Sequence, residues 1–242
     1  MPEILYEIPV NDIFDRPCEC PVCAMKKKLD DDEVAFAMGP SYMEDDIRLT
    51  TDKIGFCAHH MQMMYDFENR LGLGLILNTH MQNIIKNVET LQKKKRNGSK
   101  RLFAKDTGSA LSDYIKQTTS SCFICDRIKN TFKRYLVTTL YLYEKDSDFR
   151  KKFKNSKGFC MHHFRDLVEV GEKKLSVKEK QEFYPVLFSL MEENMKRLEE
   201  EVTWFCDKQD YLNRDKDWGN SKDSIQRAIQ KLGGGYPADP VF

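Results

Sequence analysis

Two hexapeptides set 103 residues apart constrain this chain more than anything else in it: Gly55-Phe56-Cys57-Ala58-His59-His60 and Gly158-Phe159-Cys160-Met161-His162-His163. Each follows a Cys-x-x-Cys pair, Cys20/Cys23 for the first and Cys122/Cys125 for the second, and these pairs are 102 residues apart. A four-part pattern kept in register over that distance is an internal duplication. Each copy offers three thiols and a choice of two imidazoles, a donor set that suits tetrahedral zinc.

Helix geometry chooses between the imidazoles. If Cys57 opens a helix, His60 stands three residues on and points the same way. His59 stands two residues on, roughly 200° round at 3.6 residues per turn. The same logic favours His163 over His162, and a non-helical turn at Cys57 would reverse both choices. The expected ligands are therefore Cys20, Cys23, Cys57 and His60 for one ion, and Cys122, Cys125, Cys160 and His163 for another, giving two zinc per chain. In the simplest arrangement each copy wraps its own ion, with one helix out, a shorter one back, and the metal clipping both starts together. The spacing leaves open ligands that cross between copies, such as Cys23 with His163.

Other readings compete for the same residues. Three thiolates and an imidazole also suit an iron–sulfur cluster. A redox pair of thioredoxin type needs a strand–turn–helix, and nothing like it surrounds either pair. Cys18 offers an alternative to Cys20, but the second copy has Ser120 at the matching place. Cys206, beside Trp204 and Phe205, reads as a small apolar filler. His80, in the middle of a helical pattern, reads as a core or surface histidine. His59 and His162 are left as surface residues. With three Cys and one His assigned no position remains for water, so each site is expected to be structural and closed.

Composition bounds the rest. The 242 residues include 39 basic and 38 acidic side chains, so no global field favours nucleic acid or an anionic membrane. Only 12 Gly and 8 Pro argue for long regular elements. The N-terminus has no basic and apolar leader pattern, and no stretch approaches the roughly 18 consecutive apolar residues of a membrane span. A cytoplasmic location is expected, where eight cysteines serve as metal ligands or free thiols rather than disulfides.

Periodicity and caps predict an all-α chain. Residues 1–17 read as an extended lead-in, because Pro9 disfavours helix at Ile8. Helices are expected over Val22–Met38 and Ser41–Arg48. A long one from Cys57 to Lys93 would bury Met61, Met64, Leu71, Leu75, Met81, Ile84, Ile85, Val88 and Leu91, with Gly72 and Gly74 marking close helix packing. The run from Lys93 to Arg101 reads as linker, with a second flexible point at Thr107-Gly108-Ser109. A helix at Ala110–Gln117 and another at Phe123–Tyr143 follow. Asp146 caps a helix through Phe153, and Cys160 opens one through Val170. Ser176-Val177-Lys178-Glu179 forms a capping box for a long helix in which Pro185 marks a kink or a new start. A last helix spans Lys222–Leu232, and the tail from Tyr236 to Phe242 is expected to be loose. The expected organisation is a first repeat at 1–97, a linker at 98–109, and a second repeat with a helical extension at 110–242.

End to end, the chain resembles an uncharacterised bacterial family of domain-of-unknown-function type. The residues that carry the resemblance are Ile8-Pro9-Val10-Asn11, Met43-Glu44-Asp45-Asp46-Ile47-Arg48, Gly55 to His60, Asn69-Arg70-Leu71-Gly72, Cys122 to Cys125, Gly158 to His163 and Trp218-Gly219-Asn220-Ser221-Lys222-Asp223. In that family the histidine is the third residue after the cysteine, which agrees with His60 and His163. The resemblance implies a duplicated helical protein with metal sites and brings no activity.

No Gly-rich phosphate loop, Ser-His-Asp order or His-Glu-x-x-His motif is present. The expected function is that of a non-catalytic, zinc-binding helical protein, a partner-binding or scaffold module whose protein partner the sequence does not name. The alternatives are an iron–sulfur or open-zinc redox sensor or enzyme, and a nucleic-acid binder acting through the basic runs Lys93–Arg101 and Arg150–Lys157. Both runs read as solvated surface. The acidic Met43-Glu44-Asp45-Asp46 reads as a helix end. A polar cluster from Trp204 to Arg227 with Lys208, Trp218, Asn220 and Lys222 is read as loop and cap, or else a ligand groove.

Overall fold

Eleven α-helices and two 3-10 turns carry the residues that the computed structural model describes, 6–97 and 107–235, and there is no strand among them. In chain order these are α1 (Glu7–Phe14), α2 (Pro21–Met38), a 3-10 turn (Pro40–Met43), α3 (Asp45–Ile54), α4 (Ala58–Asp66) and α5 (Arg70–Asn97). Then come α6 (Thr107–Ser120), α7 (Phe123–Lys145), α8 (Ser147–Asn155), α9 (Met161–Lys174), α10 (Val177–Asp207), a 3-10 turn (Tyr211–Asn213) and α11 (Ser224–Gly233). No helix among the described residues is long and apolar enough to cross a membrane.

Several local expectations change. The lead-in is not extended: Glu7–Phe14 is helix α1, with Pro9 its third residue. The first turn of a helix has no use for the N–H that proline lacks, so Pro9 is accommodated there. The helix expected from Cys57 to Lys93 is broken at residues 67–69, where Glu68 takes φ 69°. That break resets the helical phase. α5 buries Leu73, Ile76 and His80 and exposes Leu71, Met81 and Ile85, which a continuous helix was expected to bury. A Cβ on Gly72 would meet Asn69 and Tyr42, as close packing requires, whereas Gly74 faces open space. Thr107-Gly108-Ser109 forms the start of helix α6. α10 continues through Pro185. The last helix starts at Ser224 rather than Lys222, and Cys206 is exposed, not an apolar filler. The linker core 98–106 and the tail 236–242 lie outside the described residues.

The compact units do not coincide with the two sequence copies. One comprises Met1–Lys28 with Thr131–Phe242, and the other Leu29–Asn130. The expected division into 1–97, 98–109 and 110–242 does not mark them. The unit boundaries fall inside α2 and α7, which a reading based on loops and linkers passes over.

The first unit is held by an aromatic cluster. Phe14, Tyr143, Phe149, Phe153, Phe159 and Phe183 are buried and in ring contact, with centroids between 4.8 and 6.4 Å apart. Removing one such buried ring costs about 3–5 kcal/mol. Asp146 caps α8 by accepting from the N–H groups of Asp148 and Phe149, and the capping box at Ser176/Glu179 starts α10. The second unit packs α3, α4 and α6 on α5 around Met64, Leu73 and Ile76. There the His80 ring donates from Nδ1 to the Asp52 carbonyl at 2.8 Å and lies against Gly55.

Candidate metal centres

The Gly-Phe-Cys pattern builds the same knuckle twice. Gly55 and Gly158 take φ 72° and 74°, a left-handed turn that glycine adopts without cost. Phe56 and Phe159 plug the cores of their units at 6% and 0% exposure. Cys57 and Cys160 are then extended, with ψ near 160°, and stand at the N-caps of α4 and α9. The histidine falls at the third helical position.

The Cys-x-x-Cys pairs obey the same rule. The carbonyls of Cys20 and Cys122 accept the first helical hydrogen bonds of α2 and α7, from Ala24 and Asp126, as those of Cys57 and Cys160 do from Met61 and Phe164. The thiols of Cys20 and Cys122 also accept from the N–H groups of Cys23 and Cys125, at 3.4 and 3.5 Å. All four motifs therefore place one sulfur at an N-cap and a second donor one turn on. Each N-terminus brings the positive end of a helix dipole, which favours thiolates.

These N-termini meet in pairs, crossing the sequence copies. Cys20, Cys23, Cys160 and His163 gather in the first unit, and Cys57, His60, Cys122 and Cys125 in the second. The expectation that each copy wraps its own ion is thereby overturned. The pair from one copy faces the Cys-x-x-His of the other, because α2 faces α9 and α4 faces α7 through their starts. In each set the four donor atoms lie within 4.8 Å of one another.

The donor spacing fits a tetrahedral ion. Zn–S and Zn–N bonds of about 2.3 and 2.0–2.1 Å imply about 3.8 Å between sulfurs and about 3.5 Å from sulfur to nitrogen. Cys23 and Cys160 are 3.6 Å apart, and Cys57 and Cys125 3.9 Å. His163 Nδ1 stands 3.5, 3.3 and 3.2 Å from the sulfurs of Cys20, Cys23 and Cys160. His60 Nδ1 stands 3.2, 3.3 and 3.4 Å from those of Cys57, Cys122 and Cys125. His59 and His162 are exposed. A further group, Asp30, His59 and His60, shares His60 with the second cluster.

With no cation, the thiols of each cluster compete to ionise. In the first, burial pushes Cys20 well up, Cys23 rises to about 12 through its hydrogen bond with Cys160, and the hydrogen bonds from Cys20 and Cys23 bring Cys160 far below its ordinary value. In the second, burial pushes Cys125 up to about 12. Burial also opposes ionisation of Cys122, yet the hydrogen bond from His60 and the N–H groups nearby bring it down to about 6. Burial likewise opposes the charge on His60, but Asp30 and Cys122 raise it to about 10. A divalent ion inverts this contest, since a coordinating thiol is deprotonated outright.

The surroundings of the two clusters differ. His60 Nε2 lies 3.1 Å from Asp30 Oδ1, a carboxylate–histidine pair of the kind that orients metal-bound imidazole. His163 instead packs against the Phe132 ring, centroids 5.6 Å apart. In the second unit, Ser121 Oγ donates to the Ile54 carbonyl at 2.6 Å and Phe123 N to the Gly55 carbonyl at 2.9 Å, tying the two knuckles together. In the first unit the matching residues are Glu19 and Pro21, and proline has no N–H. The wholly buried Lys231 of α11 takes over, donating to the carbonyls of Glu19 and Lys157 at 2.7 and 2.6 Å.

Glu19 is also wholly buried. It accepts from Arg197 on both oxygens, from Arg227 at 3.3 Å, and pairs with Lys231 at 3.1 Å. Burial works against its charge, but Lys231 and Arg197 outweigh that and leave its carboxyl below the ordinary value. For Lys231 burial wins, and its ammonium is lowered despite Glu19. Gly234, at φ 74°, lets the chain leave α11 against His162 and Cys160, where a Cβ would come within 3.0 Å of the His162 ring.

Sequence reasoning missed Asp30, Glu19, Arg227 and Lys231 as supports. Asp30 sits in the run Asp30-Asp31-Asp32-Glu33, which reads as a solvated face. Lys231 lies beyond both copies, so the repeat gives no signal for it. His80 and Cys18 are buried and in neither cluster. The basic run on α8 is engaged locally: Lys151 with Asp148, Lys152 with Asp15, and Arg150 with the carbonyls of Tyr143 and Glu144. Lys208, in the polar cluster, is buried and donates to the carbonyls of Asn213, Arg214 and Lys216, fixing the loop after α10.

No curated protein and no solved structure matches the chain. A family model does, over residues 1–239, and the chain belongs to that family of unknown function, DUF6062.

Proposed function

We propose that each cluster binds one zinc ion and that the two ions act as closed structural staples in a non-catalytic helical scaffold. The observation that supports this most is the meeting of two helix N-caps at each site, with three sulfurs and one imidazole nitrogen at tetrahedral spacing. Four protein donors leave no coordination position for water, the mark of a structural zinc. In this reading Cys20, Cys23, Cys160 and His163 hold one ion, and Cys57, His60, Cys122 and Cys125 the other. Such thiol-rich sites suit a reducing, cytoplasmic setting.

A protein partner is part of the same reading. α11 turns Ile225, Ile229 and Leu232 to solvent while it buries Ser224, Arg227, Gln230 and Lys231. An apolar stripe of that kind is a contact surface rather than a core element.

Metal analysis of protein purified without added metal tests the proposal. Two zinc per chain in a colourless protein is the expected result. Iron with visible absorbance would replace it with the iron–sulfur alternative. One observation favours a sensor role for the second cluster alone: Cys125 is exposed and Cys57 half-buried, so oxidants reach that site directly.

A further inference from the structure

The polar cluster between Trp204 and Arg227 includes residues that neither metal centre uses. Asn220, Lys222, Asp223 and Arg227 line a cavity of about 360 Å³ in the first unit, together with Lys157, Arg197 and Glu201. Its two carboxylates are already neutralised. Glu201 accepts from Arg197 and Arg227, and Asp223 from Arg227 at 2.7 Å. The guanidiniums are spent in turn. Arg227 also donates to Glu19 and the Asn220 carbonyl, and Arg197 to Glu19 and Asn194.

The two lysines are not spent. Lys157 Nζ comes only within 3.9 Å of Glu19, whose oxygens are shared among three closer cations. Lys222 is exposed and has no hydrogen bond or ion pair among the described residues. The side-chain amide of Asn220, on the same wall, is likewise without a partner among them. The cavity thus offers one ammonium group with no ion pair among the described residues, a second held only at 3.9 Å from a shared carboxylate, and an amide, in a chain whose formal net charge is only +1.

We propose that this cavity binds a small dianion, a phosphate monoester or a dicarboxylate. An ammonium is a point charge with rotatable donors, so two of them select for charge more than for planar shape. A phosphate monoester carries about −1.5 to −2 charges at neutral pH, which matches two lysines. The volume falls at the small end of the range of about 300–1,000 Å³ for small-molecule sites and leaves room for more than the anionic group itself. None of the residues that line the cavity is a donor in either cluster.

Titration calorimetry on the full-length protein as purified tests this. The probes are glycerol 3-phosphate, inorganic phosphate and succinate at low ionic strength, with glycerol as the neutral control. One saturable site for at least one dianion is expected, and none for glycerol. Binding of phosphate and its ester alone would identify a phosphoryl ligand, and of succinate alone a carboxylate. Lys157→Ala with Lys222→Ala is expected to weaken binding about tenfold, the sum of two partly exposed charge contacts. Lys222→Gln alone, at an exposed side chain that does not support the fold, is expected to weaken it about threefold. Lys173→Ala with Lys174→Ala, on exposed positions of α9, should leave it unchanged. No saturable binding of any dianion, equal binding of glycerol, or undiminished affinity in both the double variant and Lys222→Gln would overturn the proposal.

Discussion

The cluster of Cys20, Cys23, Cys160 and His163 is buried at all four positions, whereas that of Cys57, His60, Cys122 and Cys125 has one exposed and one half-buried sulfur. Both arise from the same local rule, a donor at the N-cap and another one turn on. What differs is the closure. The first unit brings α11 over its cluster and locks the knuckles with Lys231 and Glu19. The second ties its knuckles with a serine hydroxyl and one backbone N–H, and spends its carboxylate, Asp30, on the histidine. Duplicated motifs therefore fix how a site is made, while unduplicated residues fix how open it is.

The largest expected effect separates the two sites through their metal. Structural zinc contributes apparent binding free energies of about 10–16 kcal/mol in small domains. Cys160→Ser should lose one ion and abolish cooperative melting of the first unit, read by metal analysis and calorimetry. Cys125→Ser should instead keep a weaker second ion, because water reaches the vacated position. Equal loss in both variants would break the comparison.

The next effect is on stability without metal loss. Glu19→Gln leaves Lys231 buried without its counter-charge and should cost about 3–5 kcal/mol in denaturant unfolding. Ser121→Ala, at the matching place, removes one neutral hydrogen bond and should cost about 1 kcal/mol. The Glu19 carboxyl lies below its ordinary value of 4.5 in the folded chain. Its contribution is therefore complete above that value and lost as the pH falls through the lower, folded one. Acid should weaken the wild type in that window, and Glu19→Gln should flatten the dependence.

Asp30→Asn sharpens the contrast from the other side. Removing the partner of a metal-bound histidine typically weakens metal by about 10–100-fold. Competition with a chromophoric chelator should show that loss for one of two ions only. Smallest of all, His59→Ala and His162→Ala should retain both ions and change stability by about 0.5 kcal/mol or less, as exposed substitutions do. Loss of an ion in either would reassign the nitrogen ligand.

The helical class, the capping box, the Asp146 cap and the preference for His60 and His163 were legible because each is local: a side chain and a backbone group within one turn. The pairing of the motifs was not. Cys23 meets His163 across 140 residues, and periodicity says nothing about which helix start faces which. The continuous reading of α4 and α5 failed for a related reason. A single residue at positive φ, Glu68, rotates everything after it. Glu19 and Lys231 stayed hidden because a charged residue between cysteines, or on a terminal helix, reads as solvated until the fold buries both.

Anomalous diffraction at the zinc edge addresses the crossed pairing most directly. Two peaks are predicted, one about 2.3 Å from the sulfurs of Cys20, Cys23 and Cys160, the other equally close to those of Cys57, Cys122 and Cys125. A peak joining Cys20 and Cys23 to Cys57, or Cys122 and Cys125 to Cys160, would contradict the account.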